Sequence, residues 1–285
     1  MNFYLGCAVW SYKGWVGNLY PPKSKSQDFL RLYSQRFHTV EGNTTFYAVP
    51  SAEKVQRWVE QTVPGFQFCP KFPQTVTHQG LLQPSLPAAL DFIERMKRLG
   101  ERLGVIFAQL PPSYSPAYLE DLIEFLQGCQ DTGVSLAVEV RHLDWYKEPH
   151  ASQLNKILTQ LGVGRVLLDT RPIYNAPDNP QANSPRKKPK LPLTPIATSN
   201  FVLVRFTSHP QRQYNDVFLS EWVSNLGNWL NQNKTIYFFV HCPQESRSPG
   251  TAFYFQSLLE SAGMNIPILA KPTTESNPIQ LTLFD

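Results

Sequence analysis

The chain has 285 residues, is 42% apolar, and carries 26 Lys and Arg against 22 Asp and Glu, a formal net charge of +4. That is enough apolar content for one large core, and the small positive balance fits an anionic partner or an ordinary surface alike. Its longest apolar runs, such as residues 236–240, fall far short of the roughly 20 residues of a membrane span, so no membrane partner is expected. The four cysteines (Cys7, Cys69, Cys129 and Cys242) lack metal-ligand spacing. No basic segment precedes a long apolar stretch at the start, so no secretory signal is expected and the protein is read as cytoplasmic and reduced. Cys242 follows His241 and reads as a reactive thiol or a plain buried one.

In chain order, eight short apolar runs read as strands, each breaking off at a polar residue. Residues 3–9 lead into Trp10 and Tyr12, and residues 37–40 end at Glu41. Residues 66–69 are followed by Lys71, residues 104–108 by Gln109, and residues 135–140 carry Glu139 ahead of Arg141. Residues 163–168 end at Asp169, 201–204 at Arg205, and 235–240 at His241. Between them lie amphipathic helices. Ser26 is a candidate cap for one with Phe29, Leu30, Tyr33 and Phe37 on a single face, and Ser51 caps another with Val55, Trp58 and Val59. Ser115 followed by Pro116 opens a third, with Leu119, Leu122, Ile123 and Leu126. Leu154, Ile157, Leu158 and Leu161 mark a fourth, and Leu219, Trp222, Val223, Leu226 and Leu230 a longer one. Alternating strands and helices predict an α/β fold with parallel strands, specifically a (β/α)8 barrel over residues 1–270. Between strands six and seven the chain is rich in proline without helical period, which predicts a long link replacing or shrinking the sixth helix. Its Arg186, Lys187, Lys188 and Lys190 read either as phosphate contacts or as a solvated basic loop.

Five motifs in order, the Trp10, Tyr12 and Trp15 set, Glu41-Gly-Asn-Thr-Thr-Phe-Tyr47, Thr77-His78, Gln109-Leu-Pro-Pro112 and Val138-Glu-Val-Arg-His142, resemble the YecE-like family, domain of unknown function number seventy-two. The resemblance runs from about Gly6 to Ala262 and implies a TIM-type barrel without an established activity. It also maps Asn43, Lys71, Trp145, Asp169 and Arg205 onto family positions. Two stretches depart from the pattern, Arg205-Phe-Thr-Ser-His209-Pro and His241-Cys-Pro.

In a barrel the strand ends converge, and the chemistry sits there. Val138, Val140, Val204 and Phe206 alternate with the charged residues, which places the apolar set outward and Glu139, Arg141 and Arg205 inward. Three cations and three carboxylates nearly cancel, so one reading is a neutral architectural ion-pair network. The functional reading is a pocket for an anionic or phosphate-bearing ligand. Lys71, Arg141 and Arg205 hold the anion, with Asn43, Gln109 and His241 beside it. Glu41, Glu139, Asp169 and His78 are the candidate acid–base groups, while Trp10, Tyr12, Tyr47 and Trp145 wall the pocket. A divalent metal on Glu41, Glu139, Asp169, His78 and His241 is the rival, and the interleaved cations argue against it; no cofactor is expected. Neither a GxGxxG nor a Walker-type nor a GxSxG motif occurs.

The last residues, 271–285, read as a flexible polar tail ending Gln280-Leu-Thr-Leu-Phe-Asp285. The hexamer resembles the peptide by which many bacterial replication and repair proteins dock on the DNA sliding clamp, with Gln280, Leu281, Leu283 and Phe284 as anchors. The alternative is a tail folded back on the barrel. Three functions remain open: a barrel-mouth hydrolase, lyase or isomerase acting on a phosphate-bearing ligand such as nucleic acid, a non-catalytic clamp-associated or nucleic-acid reader, and a sugar-phosphate isomerase or lyase.

Overall fold

The computed structural model describes residues 2–182 and 187–270, so Arg186 and the clamp-like Gln280, Leu281, Leu283 and Phe284 lie outside the described residues. The strands are β1 (Phe3–Cys7), β2 (Thr39–Gly42), β3 (Gln67–Pro70), β4 (Ile106–Gln109), β5 (Leu136–Glu139), β6 (Gly164–Arg165), β7 (Leu167–Asp169), β8 (Phe201–Thr207) and β9 (Thr235–His241). The helices are α1 (Phe29–Ser34), α2 (Thr44–Tyr47), α3 (Ala52–Gln61), α4 (Gln74–Thr77), α5 (Leu86–Lys97), α6 (Leu119–Gln130), α7 (His150–Gln160), α8 (Arg171–Tyr174), α9 (Asp216–Asn231) and α10 (Ser248–Ser261). Every strand pair is parallel, in a six-stranded sheet β3-β2-β1-β9-β8-β7 and a three-stranded sheet β4-β5-β6. The alternation of strand and helix thus gives the parallel α/β fold that it predicts.

The two sheets share edges. Only Val166 separates β6 from β7, and its amide donates to the Val138 carbonyl at 2.9 Å. On the other side, the Gly104 amide donates to the Phe68 carbonyl at 2.8 Å and the Phe72 amide to the Phe107 carbonyl at 3.0 Å. Parallel bridges pair Phe68 with Leu103 and Lys71 with Phe107.

Both faces of the strands are buried, so they read as continuous apolar runs. On β8, Val202, Val204 and Phe206 join the large core under the helices, together with Trp222, Leu226, Phe238 and Phe255. Phe201 and Leu203 turn the other way, into a smaller cluster with Tyr4, Cys69, Phe107, Ala137, Tyr237 and Phe239. Burying each such large side chain contributes about 1.5–3 kcal/mol. Strands β1 and β2 approach so closely that a Cβ on Gly6 would stand 1.9 Å from the Thr39 carbonyl oxygen, so this position takes no side chain.

Two of the three expected caps are present, whereas Ser26 lies within a short 3-10 turn ahead of α1 and its side chain caps neither that turn nor the helix. The Ser51 hydroxyl accepts from the Lys54 amide at the start of α3, and the Ser115 hydroxyl from the Ala117 amide ahead of α6. Helices α5 and α10, which the apolar periodicity did not single out, carry prolines in their first turns, Pro87 and Pro249, where the missing amide breaks no helical hydrogen bond. The link after β7 makes one helical turn, α8, and then runs without helix to β8 among the described residues. It is not simply a solvated loop. Gln181, 2% exposed, accepts the Lys188 amide at 2.6 Å; the Tyr174 hydroxyl donates to the Lys188 carbonyl at 2.5 Å and Thr170 to the Pro189 carbonyl at 3.0 Å. Among the described residues no helix is long and apolar enough to cross a membrane.

Candidate functional site

The inward parity of the strands carries polar residues above the smaller apolar cluster: Cys69 is followed by Lys71, Phe107 by Gln109, Ala137 by Glu139 and Arg141, Leu203 by Arg205, and Phe239 by His241, each two positions on. Their side chains join in one hydrogen-bonded chain. Lys188 Nζ lies 3.2 Å from His241 Nδ1, and His241 Nε2 lies 2.7 Å from Glu41 Oε2. The Arg205 guanidinium donates to both Glu41 oxygens, at 2.8 and 2.6 Å, and through Nη1 to Glu139 Oε2. Arg141 Nε donates to Glu139 Oε1 at 2.7 Å and its Nη2 to Gln109 Oε1 at 2.6 Å; Lys71 Nζ donates to the same amide oxygen at 2.6 Å. Glu41, Glu139 and Arg205 are at most 1% exposed, whereas the Arg141 side chain keeps 16% of its surface. Solvent therefore meets the network at Arg141, and Lys188 at its other end is also partly exposed.

The Glu41-Gly-Asn-Thr-Thr-Phe-Tyr47 segment holds one side of this chain. Gly42 lets β2 run against β3, because a Cβ there would lie 2.9 Å from Pro70 Cα. Asn43 donates to the Ala8 carbonyl at 3.0 Å, tying the loops after β1 and β2 together. The Thr45 hydroxyl donates to the Lys71 carbonyl at 2.6 Å and accepts the Lys71 amide at 3.0 Å, fixing the backbone from which Lys71 projects. Phe46 then presents its ring face 3.8 Å from Lys71 Nζ, a cation–π contact. His78 stands edge-on to Phe46, 5.1 Å between centroids, and Tyr47 is 53% exposed beside them.

Electrostatics divides the network into charges that are locked and charges that are not. Burial, the largest single influence, would raise the carboxylic pKa values, but the Arg205 charge together with the neighbouring basic groups and hydrogen bonds outweighs it. Glu139 is held down at about 2, with Arg141 and Lys71 helping, and Glu41 lies well below its usual range, with His241 helping. Both are carboxylates across the physiological range. Burial, then the Arg205 charge, pushes Lys71 down to about 6 and Lys188 to about 8. Burial likewise takes His78 and His241 to about 4, so both imidazoles are neutral at pH 7. Since an ionised Glu41 can only accept, the proton of neutral His241 sits on Nε2 and Nδ1 is the acceptor that faces Lys188. A further buried acid, Glu245, is pushed up to about 8 by burial, and its Oε1 has no partner among the described residues.

Several expected site residues stand elsewhere. Asp169 shares a strand face with Leu167, which belongs to the helix-side core, and its carboxylate accepts from Trp222 Nε1 at 2.8 Å and pairs with Arg171 at 2.9 Å. It is a tether between β7 and α9, outside the hydrogen-bonded chain. Trp10 packs edge-on against Trp58 and Phe68, and Tyr12 against Trp15, on the helix side of the sheet. Trp145 is fully buried and donates to the Tyr114 carbonyl at 2.8 Å. These aromatics are core rather than wall; Phe46 and Tyr47 are the rings at the network. Cys242 is a buried thiol raised to about 11 by burial. Among the described residues no three of the His, Cys, Asp and Glu side chains gather as a metal site. Lys188, read in the sequence with its basic neighbours as a phosphate contact or a solvated loop residue, is the member that strand alternation did not place.

Removing Asp169 and adding Lys188 changes the charge balance. Four basic side chains, Lys71, Arg141, Lys188 and Arg205, now face two carboxylates, Glu41 and Glu139.

The family model described as "Protein of unknown function DUF72" matches residues 4–277. The chain is 36% identical over 249 residues to the UPF0759 protein YecE of Escherichia coli K12, covering 86% of this chain and 88% of that protein. Among solved structures it is similar to a DUF72 family protein from Enterococcus faecalis V583, with a TM-score of 0.70 at 17% identity, covering 95% of this chain and 98% of the other. It is also similar in fold to a xylose isomerase-like TIM barrel/4-hydroxyphenylpyruvate dioxygenase fusion protein, with a TM-score of 0.50 at 15% identity, covering 94% of this chain and 45% of that one. With its model matched over nearly the whole length and the YecE relationship at this identity, the chain belongs to the DUF72 family.

Proposed function

We propose that the two sheets form one closed (β/α)8 barrel whose C-terminal face binds a small anionic ligand, phosphate- or carboxylate-bearing, between Lys71 and Arg141, as the binding step of an enzyme. Barrel closure is supported by the Gly104–Phe68 and Phe72–Phe107 hydrogen bonds at one seam and the single residue Val166 at the other. It is supported too by Arg205, which reaches Glu41 on β2 and Glu139 on β5 at once. The observation that carries the ligand reading is the excess of basic side chains, four against two carboxylates, with Lys71 and the partly exposed Arg141 side by side. There two basic groups, Lys71 and Arg141, converge on a single neutral acceptor, Gln109 Oε1. Concentrating charge of one sign costs free energy that an anion recovers, and an oxyanion accepts from Lys71 and the Arg141 fork better than an amide oxygen does. Glu41 and Glu139 serve as counter-charges that orient Arg205 and Arg141 rather than as proton carriers.

Thermal unfolding of the full chain with inorganic phosphate, glycerol 3-phosphate and pyruvate tests this. A rise in midpoint with at least one of these anions is expected in the native protein. In Arg141→Gln the same anion should bind roughly 10- to 100-fold more weakly, the worth of one charge-assisted contact. Equal shifts in both proteins would remove Arg141 from the site.

The tail carries a second, independent proposal: Gln280, Leu281, Leu283 and Phe284 dock on the DNA sliding clamp and bring the barrel to nucleic acid. Its support is the Gln-Leu-Thr-Leu-Phe run following a polar, proline-containing stretch. Deleting residues 280–285 is expected to abolish binding to a bacterial clamp in a pull-down, and undiminished binding would refute it.

A further inference from the structure

Lys188 occupies a position that a merely charge-balancing lysine does not need. The link places it by three backbone ties, from Gln181, Tyr174 and, one residue on, Thr170. Its ammonium end is then delivered to His241 Nδ1, whose ring is held through Nε2 by Glu41, itself fixed by the bidentate Arg205. The order is amine, imidazole, carboxylate, with the ring tautomer set by the carboxylate. That is the arrangement by which a base orients and activates a nucleophile.

We propose that Lys188 is an amine nucleophile, held by His241 and Glu41, that forms a Schiff base with a small carbonyl compound also bearing a phosphate or carboxylate. The inference rests on the anion reading of this site, since Arg141 and Lys71 supply the grip on the charged group. Lowered to about 8, the amine is substantially neutral at mildly alkaline pH. A neutral amine that keeps one N–H on His241 Nδ1 leaves its lone pair free for the carbonyl carbon. As the C–N bond forms, the π pair of the C=O bond moves to oxygen. The surplus proton on nitrogen passes through His241 to that oxygen, giving a neutral carbinolamine. The hydroxyl then takes a proton from solvent hydronium and leaves as water. The nitrogen lone pair closes the C=N bond, leaving an iminium. Atoms, protons and charge balance, and no oxidant or reductant enters. An iminium withdraws electrons from the adjacent carbon, so the reaction class is bond making or breaking next to a carbonyl.

Reductive trapping tests the proposal. The full chain is incubated separately with pyruvate and with dihydroxyacetone phosphate, each with sodium borohydride, and peptides are mapped by mass spectrometry. The expected result is one adduct per chain, on Lys188, with at least one of the two compounds, formed at least tenfold faster than with neutral acetone. It should be lost in Lys188→Arg and kept in Lys187→Arg, an exposed neighbour. Mapping of the native protein needs no variant, so a misfolded Lys188→Arg leaves the test intact. An adduct on Lys71 instead, or labelling spread evenly over exposed lysines, overturns the assignment. Anion binding that depends on Arg141 without any Lys188 adduct overturns this inference and leaves the anion site standing. Absence of both overturns the two together.

Discussion

Arg205→Met is expected to cost about 3–5 kcal/mol of stability at pH 7, the loss typical of breaking a buried ion pair from one side. Arg205, on β8, is 1% exposed and bonds Glu41 and Glu139 together. Without it two carboxylates remain in a site that burial alone would make acid-neutral. The pH dependence follows from the direction of those shifts. In the native protein both folded-state pKa values are depressed, so their contribution is full above the unfolded value of about 4.5 and is lost only as pH falls toward about 2 for Glu139. In Arg205→Met the carboxyl pKa values move upward with burial, so lowering the pH toward 5 neutralises the groups and restores part of the stability. Urea unfolding at pH 7 and pH 5 reads this directly. The gap between native and variant should narrow at the lower pH, and adding Glu41→Gln to the variant should narrow it at pH 7. A loss under about 1 kcal/mol, the same at both pH values, would show that Arg205 does not hold these charges.

The second large effect is a proton taken up with the anion. Lys71 stands at about 6 because burial and the Arg205 charge disfavour its ammonium form. An anion beside it favours that form, so its pKa rises on binding. Between pH 6 and the raised value each bound anion takes a proton from solution, and affinity falls by up to about tenfold per pH unit. Below pH 6 the lysine is already charged and the dependence flattens. Calorimetric titration with glycerol 3-phosphate in two buffers of different ionisation enthalpy measures the proton count. The native protein should show net uptake at pH 7.5, and Lys71→Met should lose most of it along with the pH dependence. Proton release, or uptake unchanged in Lys71→Met, contradicts the assignment.

Strand position and the convergence of Glu41, Glu139, Arg141 and Arg205 were legible in the sequence because alternation along a strand is a strict geometric rule. Val204 and Phe206 facing the helices oblige Arg205 to face inward, and the structure places them so. Asp169 shows the limit of reading only the last polar residue of a run. The same alternation, applied from Leu167, puts Asp169 on the helix side with Trp222. Trp10 and Trp145 are aromatic residues in conspicuous motifs, yet residue type does not say which side of a sheet a loop returns to, and both went into packing. Lys188 was legible only as one of four basic residues in the link. Its place depends on Gln181 and Tyr174 holding a segment that has no period of its own. With Lys188 gained and Asp169 removed, a network that looked nearly neutral became cationic.

The central claim is that this cationic network is completed by an anion at Lys71 and Arg141. Crystals soaked in selenate, with anomalous scattering recorded at the selenium edge, test it most directly. The expected result is a peak within hydrogen-bonding distance of Lys71 Nζ and the Arg141 guanidinium, with the Gln109 carboxamide displaced from between them. No peak at that position, with Gln109 Oε1 still accepting from both cations, would contradict it.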